Sequence, residues 1–319
     1  NSIPIYSVTF GNGPKKVLIW SQMHGNESTG TKALFDLFGF VDAKDPMIRS
    51  IVRTLLKGCT VKCIVMLNPD GAIKFTRENA KDIDLNRDAV DRKAIESQLL
   101  RGVLEEFDPD FCFNLHDQRS IFNVSGTANP ATLSFLAPSE EVCRQLTEGR
   151  KKTMSVIVAM NALLQQIIPN QIGRYTDEFY PTATGDNFQK LGYSTILIEA
   201  GHFRNDYRRN VTRKYNTLAL IQGLHFIANS NDYSDYKPYF DIPNNDYMFL
   251  EAIYTNVSIA TTDGSELTSV GVQYVYKMIE GELTRIEKIE QIGDLTSYHT
   301  NNVINAEKKT IFELKLSNS

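Results

Sequence analysis

Residues 16–27 read Lys16-Val17-Leu18-Ile19-Trp20-Ser21-Gln22-Met23-His24-Gly25-Asn26-Glu27. The first five form an apolar run with the composition of a buried strand. The run then breaks into a loop carrying a histidine and a carboxylate three positions apart. An apolar strand that does not alternate suits a parallel sheet covered on both faces by helices. The loop after such a strand lies at the carboxyl edge of the sheet, where α/β folds bind ligands.

Outward from this stretch, strand and helix signals alternate. Thr31 to Phe38 reads as a helix, with Ser28 or Thr29 available as its cap. Ile51 to Leu56 reads as helical. Val61 to Leu67 reads as a strand stopped by Asn68-Pro69-Asp70-Gly71, a strong turn signal. Ala94 to Phe107 is a predicted helix and Asp110 to Leu115 a predicted short strand. A long helix is predicted over Ser139 to Ile168, ended near Pro169. A strand is predicted over Tyr193 to Ile198 and a helix over Arg208 to Ala228. This pattern predicts an α/β, three-layer domain with a mixed, largely parallel central sheet.

Composition changes near residue 238. Pro238, Pro243 and Asn244-Asn245-Asp246 read as a linker. The remainder is rich in Val, Ile, Thr and Tyr, with turn signals at Asp263-Gly264 and Glu280-Gly281. The expected division is 1–238 for the α/β domain and 239–319 for a small β-rich C-terminal domain. No internal repeat is evident.

The 319 residues carry a formal net charge of −4, with 42% hydrophobic and 23% charged residues. These are values of an ordinary globular chain with room for a large core. The net charge argues against nucleic acid or an anionic membrane as partner. No apolar run approaches the roughly 18 residues of a membrane span. The chain opens at Asn1 rather than Met; with no signal-peptide pattern visible, a cytoplasmic location is the expectation. Cys59 and Cys63 flank a predicted strand, which at roughly 3.3 Å per residue separates their Cα atoms too widely for a disulfide. With Cys112 and Cys143, they are expected to be buried, reduced thiols.

The chain has five histidines: His24, His116, His202, His225 and His299. His225 lies in a predicted helix and is expected to pack; His299 is expected at the surface. His24 and His116 differ, because each falls at a predicted strand end beside other polar groups. Asn68 and Glu199 also fall at strand ends, so the sheet brings all four to one rim. His24, Glu27 and His116 supply two imidazoles and a carboxylate, which suit zinc and leave a fourth position open for water. Glu199 follows the apolar run Ser194 to Ile198 and is the candidate general base. Its bland alternative is a salt bridge at a strand terminus. Arg77 and Arg87 lie ten apart in a loop-rich stretch. They are either solvated charges or forks that grip a carboxylate and polarise a carbonyl. Asp84 is placed to accept a hydrogen bond from a zinc-bound histidine.

The ordered set His24-x-x-Glu27, Asn68-Pro69-Asp70-Gly71, Arg77, Asp84-Leu85-Asn86-Arg87, Leu115-His116 and Ile198-Glu199 resembles the zinc carboxypeptidase family (M14 type) over about 230 residues. The resemblance implies one Zn2+ per chain held by His24, Glu27 and His116. It implies Glu199 as general base for a zinc-activated water and Arg77 as oxyanion partner. Asn86 and Arg87 would hold the substrate's terminal carboxylate, and Asp84 would support a ligand histidine. The expected activity is hydrolysis of the C-terminal peptide bond of peptides.

Two departures bear on substrate. His116 follows Glu27 by 116 − 27 = 89 positions. That spacing is nearer the aspartoacylase and succinylglutamate desuccinylase branch, which removes an acyl group from an N-acyl amino acid. The Asn68-Pro69-Asp70-Gly71 motif points back to peptidases. The family's substrate-gating tyrosine matches Tyr180, with Tyr175 as rival. The β-rich segment resembles either the transthyretin-like module of some family members or the extension of the acylase branch.

Overall fold

The computed structural model describes residues 3–262 and 264–317. The chain runs β1 (Ser7–Phe10), β2 (Lys15–Ser21), α1 (Thr29–Val41), α2 (Pro46–Gly58), β3 (Cys59–Ile64), α3 (Pro69–Lys74), α4 (Ile95–Phe107), β4 (Phe111–Asp117) and β5 (Asn123–Val124). It continues through β6 (Leu133–Leu136), α5 (Glu148–Ile167), β7 (Ile172–Arg174), α6 (Thr184–Lys190), β8 (Ser194–Ala200) and α7 (Asn210–Asn229). The rest is β9 (Asn245–Asp246), β10 (Phe249–Leu250), β11 (Ala252–Thr261), β12 (Gly264–Ile279), β13 (Glu282–Gly293), β14 (His299–Thr300) and β15 (Val303–Asn305).

Seven strands form one sheet in the order β1-β3-β2-β4-β8-β6-β7. β3, β2, β4 and β8 are mutually parallel, whereas β1 and β6 run antiparallel to their neighbours β3 and β8. The α/β reading therefore holds, with a mixed sheet. Side chains alternate between two buried faces, as the strand repeat requires. Val17, Ile19, Phe113, Leu115, Ile196 and Ile198 pack with apolar residues of α1, α2, α5 and α7. Leu18, Trp20, Ile64 and Cys112 pack on the other face against Leu100 and Leu104 of α4 and Phe188 of α6. His116 lies two and four residues beyond Asn114 and Cys112, so it shares their face. In the parallel pairing of β4 and β8, His116 stands opposite Glu199.

β11, β12, β13 and β15 form a separate four-stranded sheet with its own apolar cluster, including Ala252, Tyr254, Val257, Val270 and Val272. β12 and β13 meet in a two-residue hairpin at Glu280 and Gly281, both with positive φ, which matches strand twist. Asp263 lies outside the described residues. Ser120 donates to Gln273 (2.8 Å), and β5 pairs with β9 in a two-stranded sheet of their own, which ties the region after residue 238 to the segment that follows β4. No helix among the described residues is long and apolar enough to cross a membrane.

Four local expectations change. The predicted helix from Ser139 begins only at Glu148. The buried Arg150 guanidinium takes the carbonyls of Ala137, Arg144 and Gln145. Those acceptors hold the preceding segment in a loop. Asn68-Pro69-Asp70-Gly71 is the first turn of α3, not a bare turn; Asn68 caps it by accepting from the Gly71 amide (2.9 Å). Ser28 makes no side-chain cap on α1; the Asp117 carboxylate accepts from the Thr29 amide (3.2 Å) and hydroxyl (2.7 Å) instead. Cys59, Cys63 and Cys112 are buried free thiols, but Cys143 is exposed.

Candidate active site

β2 delivers the chain to the carboxyl edge of the sheet, and close backbone packing then shapes the loop His24–Glu27. Gln22 donates from its side chain to the Gly25 carbonyl (2.7 Å). A Cβ on Gly25 would stand 2.0 Å from the Gly71 carbonyl carbon, so only glycine admits this approach. Asn68 is fully buried and joins three segments. Besides capping α3, its amide donates to Met23 O (3.2 Å) and Arg77 O (3.3 Å). The two short motifs of the sequence are thus two sides of one contact.

His24, Glu27 and His116 each turn a ligand atom inward, and those atoms lie within 4.8 Å of one another. His24 Nδ1 is 2.7 Å from Glu27 Oε1, and His116 Nδ1 is 2.9 Å from Glu27 Oε2. The two Nδ1 atoms are 3.2 Å apart. Asp84 Oδ1 is 3.1 Å from His24 Nε2. A carboxylate there favours the tautomer with the proton on Nε2, which leaves the Nδ1 lone pair facing the cluster. The donor set is two imidazole nitrogens and a carboxylate, which is the chemistry zinc takes.

The charges agree. Burial opposes the Glu27 carboxylate, but His24 and His116 outweigh it and hold Glu27 ionised, well below the usual carboxylate range. Burial likewise opposes the His24 cation, yet Glu27 and Asp84 push its pKa up. For His116 burial prevails over Glu27, and the pKa falls. Arg77 Nη1 lies 3.2 Å from His24 Nδ1 and 3.5 Å from Glu27 Oε1, so a cationic group already sits against these lone pairs.

Arg77, Asp84 and Glu199 adjoin this cluster, and Asn86 and Arg87 follow Asp84 in the chain. Burial pushes the Glu199 carboxyl well above its ordinary pKa, aided by Glu27 and Asp117. Arg77 is partly exposed, and its Nε donates to Asp84 Oδ2 (3.0 Å). Asp84 also accepts from the Asn86 amide (2.8 Å), which starts the single turn of 3-10 helix Leu85–Arg87. Asn86 Oδ1 accepts from the Thr184 amide (3.0 Å) at the start of α6, leaving its Nδ2 as a donor. Arg87 is exposed, with its guanidinium 5.7 Å from the Tyr180 ring centre. The tyrosine rivals separate: burial raises the Tyr175 pKa, with the Glu199 carboxylate adding to it, whereas Tyr180 stacks near Arg87.

The family described as Zinc carboxypeptidase matches residues 2–177, more than half of the chain. The chain belongs to the zinc carboxypeptidase family. Probable carboxypeptidase 2 of Trichophyton verrucosum (strain HKI 0517) is 26% identical over 105 residues, 32% of this chain and 20% of that one. Carboxypeptidase 2 of Trichophyton rubrum is 26% identical over 105 residues, 32% of this chain and 19% of that one. The matched stretch thus spans about a fifth of these relatives' length. A metallo-carboxypeptidase from Burkholderia cenocepacia superposes with a TM-score of 0.55 at 16% identity, over 69% of this chain and 60% of that one. Product-bound cell shape determinant protein Csd4 from Helicobacter pylori superposes with a TM-score of 0.51 at 16% identity, over 88% of this chain and 76% of that one. These likenesses establish the fold, and a coverage of 88% reaches past residue 238.

Sequence reading of this zinc carboxypeptidase family member did not single out two groups of the rim. Asp117 follows His116, and its amide donates to Glu27 Oε2 (3.0 Å). Burial pushes the Asp117 carboxyl up to about 6, although Arg209 opposes the shift. An acidic residue directly after a candidate ligand was the available signal. Asn245, which falls within the expected linker, reaches Ser134 (2.9 Å) and Gln118 (3.2 Å), and Ser134 stands opposite Glu199. No local pattern announced that contact.

Proposed function

We propose that this chain is a zinc-dependent metallocarboxypeptidase that hydrolyses the C-terminal peptide bond of peptides. The convergence of His24, Glu27 and His116 on one point, in register with Glu199 on the next strand, carries the reading. In it, these three side chains hold the metal. Zinc bound there supplies Lewis-acid polarisation of the scissile carbonyl and acidifies water.

The chain's own residues do the rest. Glu199 takes the proton of the attacking water and returns it to the leaving amine nitrogen. Its raised pKa suits a group that must both accept and donate near neutral pH. Arg77, braced by Asp84, faces the oxygen on which negative charge develops. Arg87 and the free Nδ2 of Asn86 receive the terminal carboxylate, which sets the distance from chain end to scissile bond. Residues 239–319 add no chemistry in this scheme; Asn245 braces the wall beside Glu199.

A substrate panel tests the proposal. Peptides with a free C-terminus should be cleaved, and the same peptides amidated at the C-terminus should lose most of kcat/KM. Turnover of N-succinyl or N-acetyl amino acids alone would replace the peptidase reading with the amidohydrolase one.

A further inference from the structure

We propose that Arg209 is a positioning residue whose guanidinium ties the strand end bearing His116 to the strand end bearing Glu199. This rests on the reading of His24, Glu27 and His116 as a zinc site. Arg209 Nη1 donates to the Ala200 carbonyl (2.7 Å) and Nη2 to the Gln118 carbonyl (2.9 Å). Ala200 follows Glu199, and Gln118 lies two residues after His116. The Gln118 amide itself donates to Ala200 O (2.8 Å), so the fork closes the last rung between β4 and β8.

Arg209 is also the cation beside Asp117, at 3.6 Å from its Oδ2. Asp117 touches the site twice, through its amide on Glu27 and through its carboxylate on Thr29, two residues after Glu27. Arg209 therefore holds the residue that links the two ligand-bearing segments, the His24–Glu27 loop and the end of β4.

The backbone supports a side-chain role. Arg209 sits at φ 56°, ψ 26°, the left-handed region that glycine occupies with least strain. It is not needed to cap α7, because the Asp206 carboxylate accepts from the amides of Asn210, Val211 and Thr212. A glycine would meet the backbone requirement better, and only the guanidinium distinguishes the arginine.

Arg209→Gly removes the fork without straining the turn. Zinc affinity, read by competition with a chromogenic chelator, should weaken by about 10–100-fold, the usual cost of losing a partner that orients ligands. kcat should fall by a similar factor with KM within about twofold, and Arg209→Lys should recover only part, since an ammonium offers a point charge rather than a planar fork. Arg213→Ala, which breaks the ion pair to Asp36 one turn along the same helix, should lower the melting temperature and leave zinc affinity unchanged. Wild-type zinc affinity in a folded Arg209→Gly chain overturns the proposal. If that variant does not fold, Arg209→Lys decides, and wild-type affinity there overturns it equally. A wild-type chain that binds no zinc overturns the site reading and this role with it. Zinc binding without peptidase activity removes only the substrate assignment.

Discussion

Replacing Asp84 by asparagine isolates what its charge and its bond to Arg77 contribute to the site. Asp84 Oδ1 accepts from the Asn86 amide and stands 3.1 Å from His24 Nε2, while Oδ2 accepts from Arg77 Nε. Asparagine keeps one oxygen for the first pair but turns an NH2 towards the Arg77 donor, so that bond is lost. It also removes a carboxylate that His24 and Arg77 hold ionised against burial, well below the usual range. A partner of this kind is worth about 10–100-fold in metal affinity, or about 1.4–2.8 kcal/mol. Competitive zinc titration of the purified variant should show a loss in that range. Asp84→Ala should lose in addition about 1 kcal/mol of metal-free stability, because the cap on Leu85–Arg87 disappears. Urea unfolding of the metal-free protein measures that second term. Wild-type zinc affinity in Asp84→Asn would refute the claim that the Asp84 charge and its bond to Arg77 support the metal site.

Glu199→Gln should retain zinc and lose at least about 10²-fold in kcat, the low end for a general base; unchanged turnover would remove Glu199 from the chemistry. Gly25→Ala should cost about 1–3 kcal/mol or more and weaken zinc binding, because its Cβ would sit 2.0 Å from Gly71; wild-type stability would contradict the close packing of the two loops. Burial, with Arg209 adding to it, lowers the His202 pKa from 6.5 to about 4. Above pH 6.5 both folded and unfolded chains leave His202 neutral, so it gives no pH dependence. As pH falls from 6.5 towards 4, only the unfolded chain takes up the proton, and stability is lost. Urea unfolding should show a loss of about 2 kcal/mol between pH 7 and 5 that His202→Gln reduces; an equal loss in the variant would refute it.

Much of the fold was legible because the central strands are apolar on both faces. In the strands Lys15–Ser21, Phe111–Asp117 and Ser194–Ala200, burial is unbroken from Val17 to Ser21, from Phe111 to His116 and from Ser194 to Ile198. Leu133–Leu136 and Ile172–Arg174 escaped reading because three or four residues carry no period. The segment before Glu148 has helix-forming composition, yet the buried Arg150 uses its carbonyls, a demand made by tertiary packing. His24, Glu27, Asp84 and His116 were legible as a set, because their residue types and order suffice. Arg209 and Asn245 were not, because each reaches the rim through backbone turns and contacts from distant segments.

Metal content, measured on the wild-type chain and on His116→Ala purified side by side, addresses the central claim most directly. The account predicts one zinc per wild-type chain and loss of that zinc in His116→Ala, with both chains folded. Full zinc occupancy in His116→Ala, or a wild-type chain that takes up none, would contradict it.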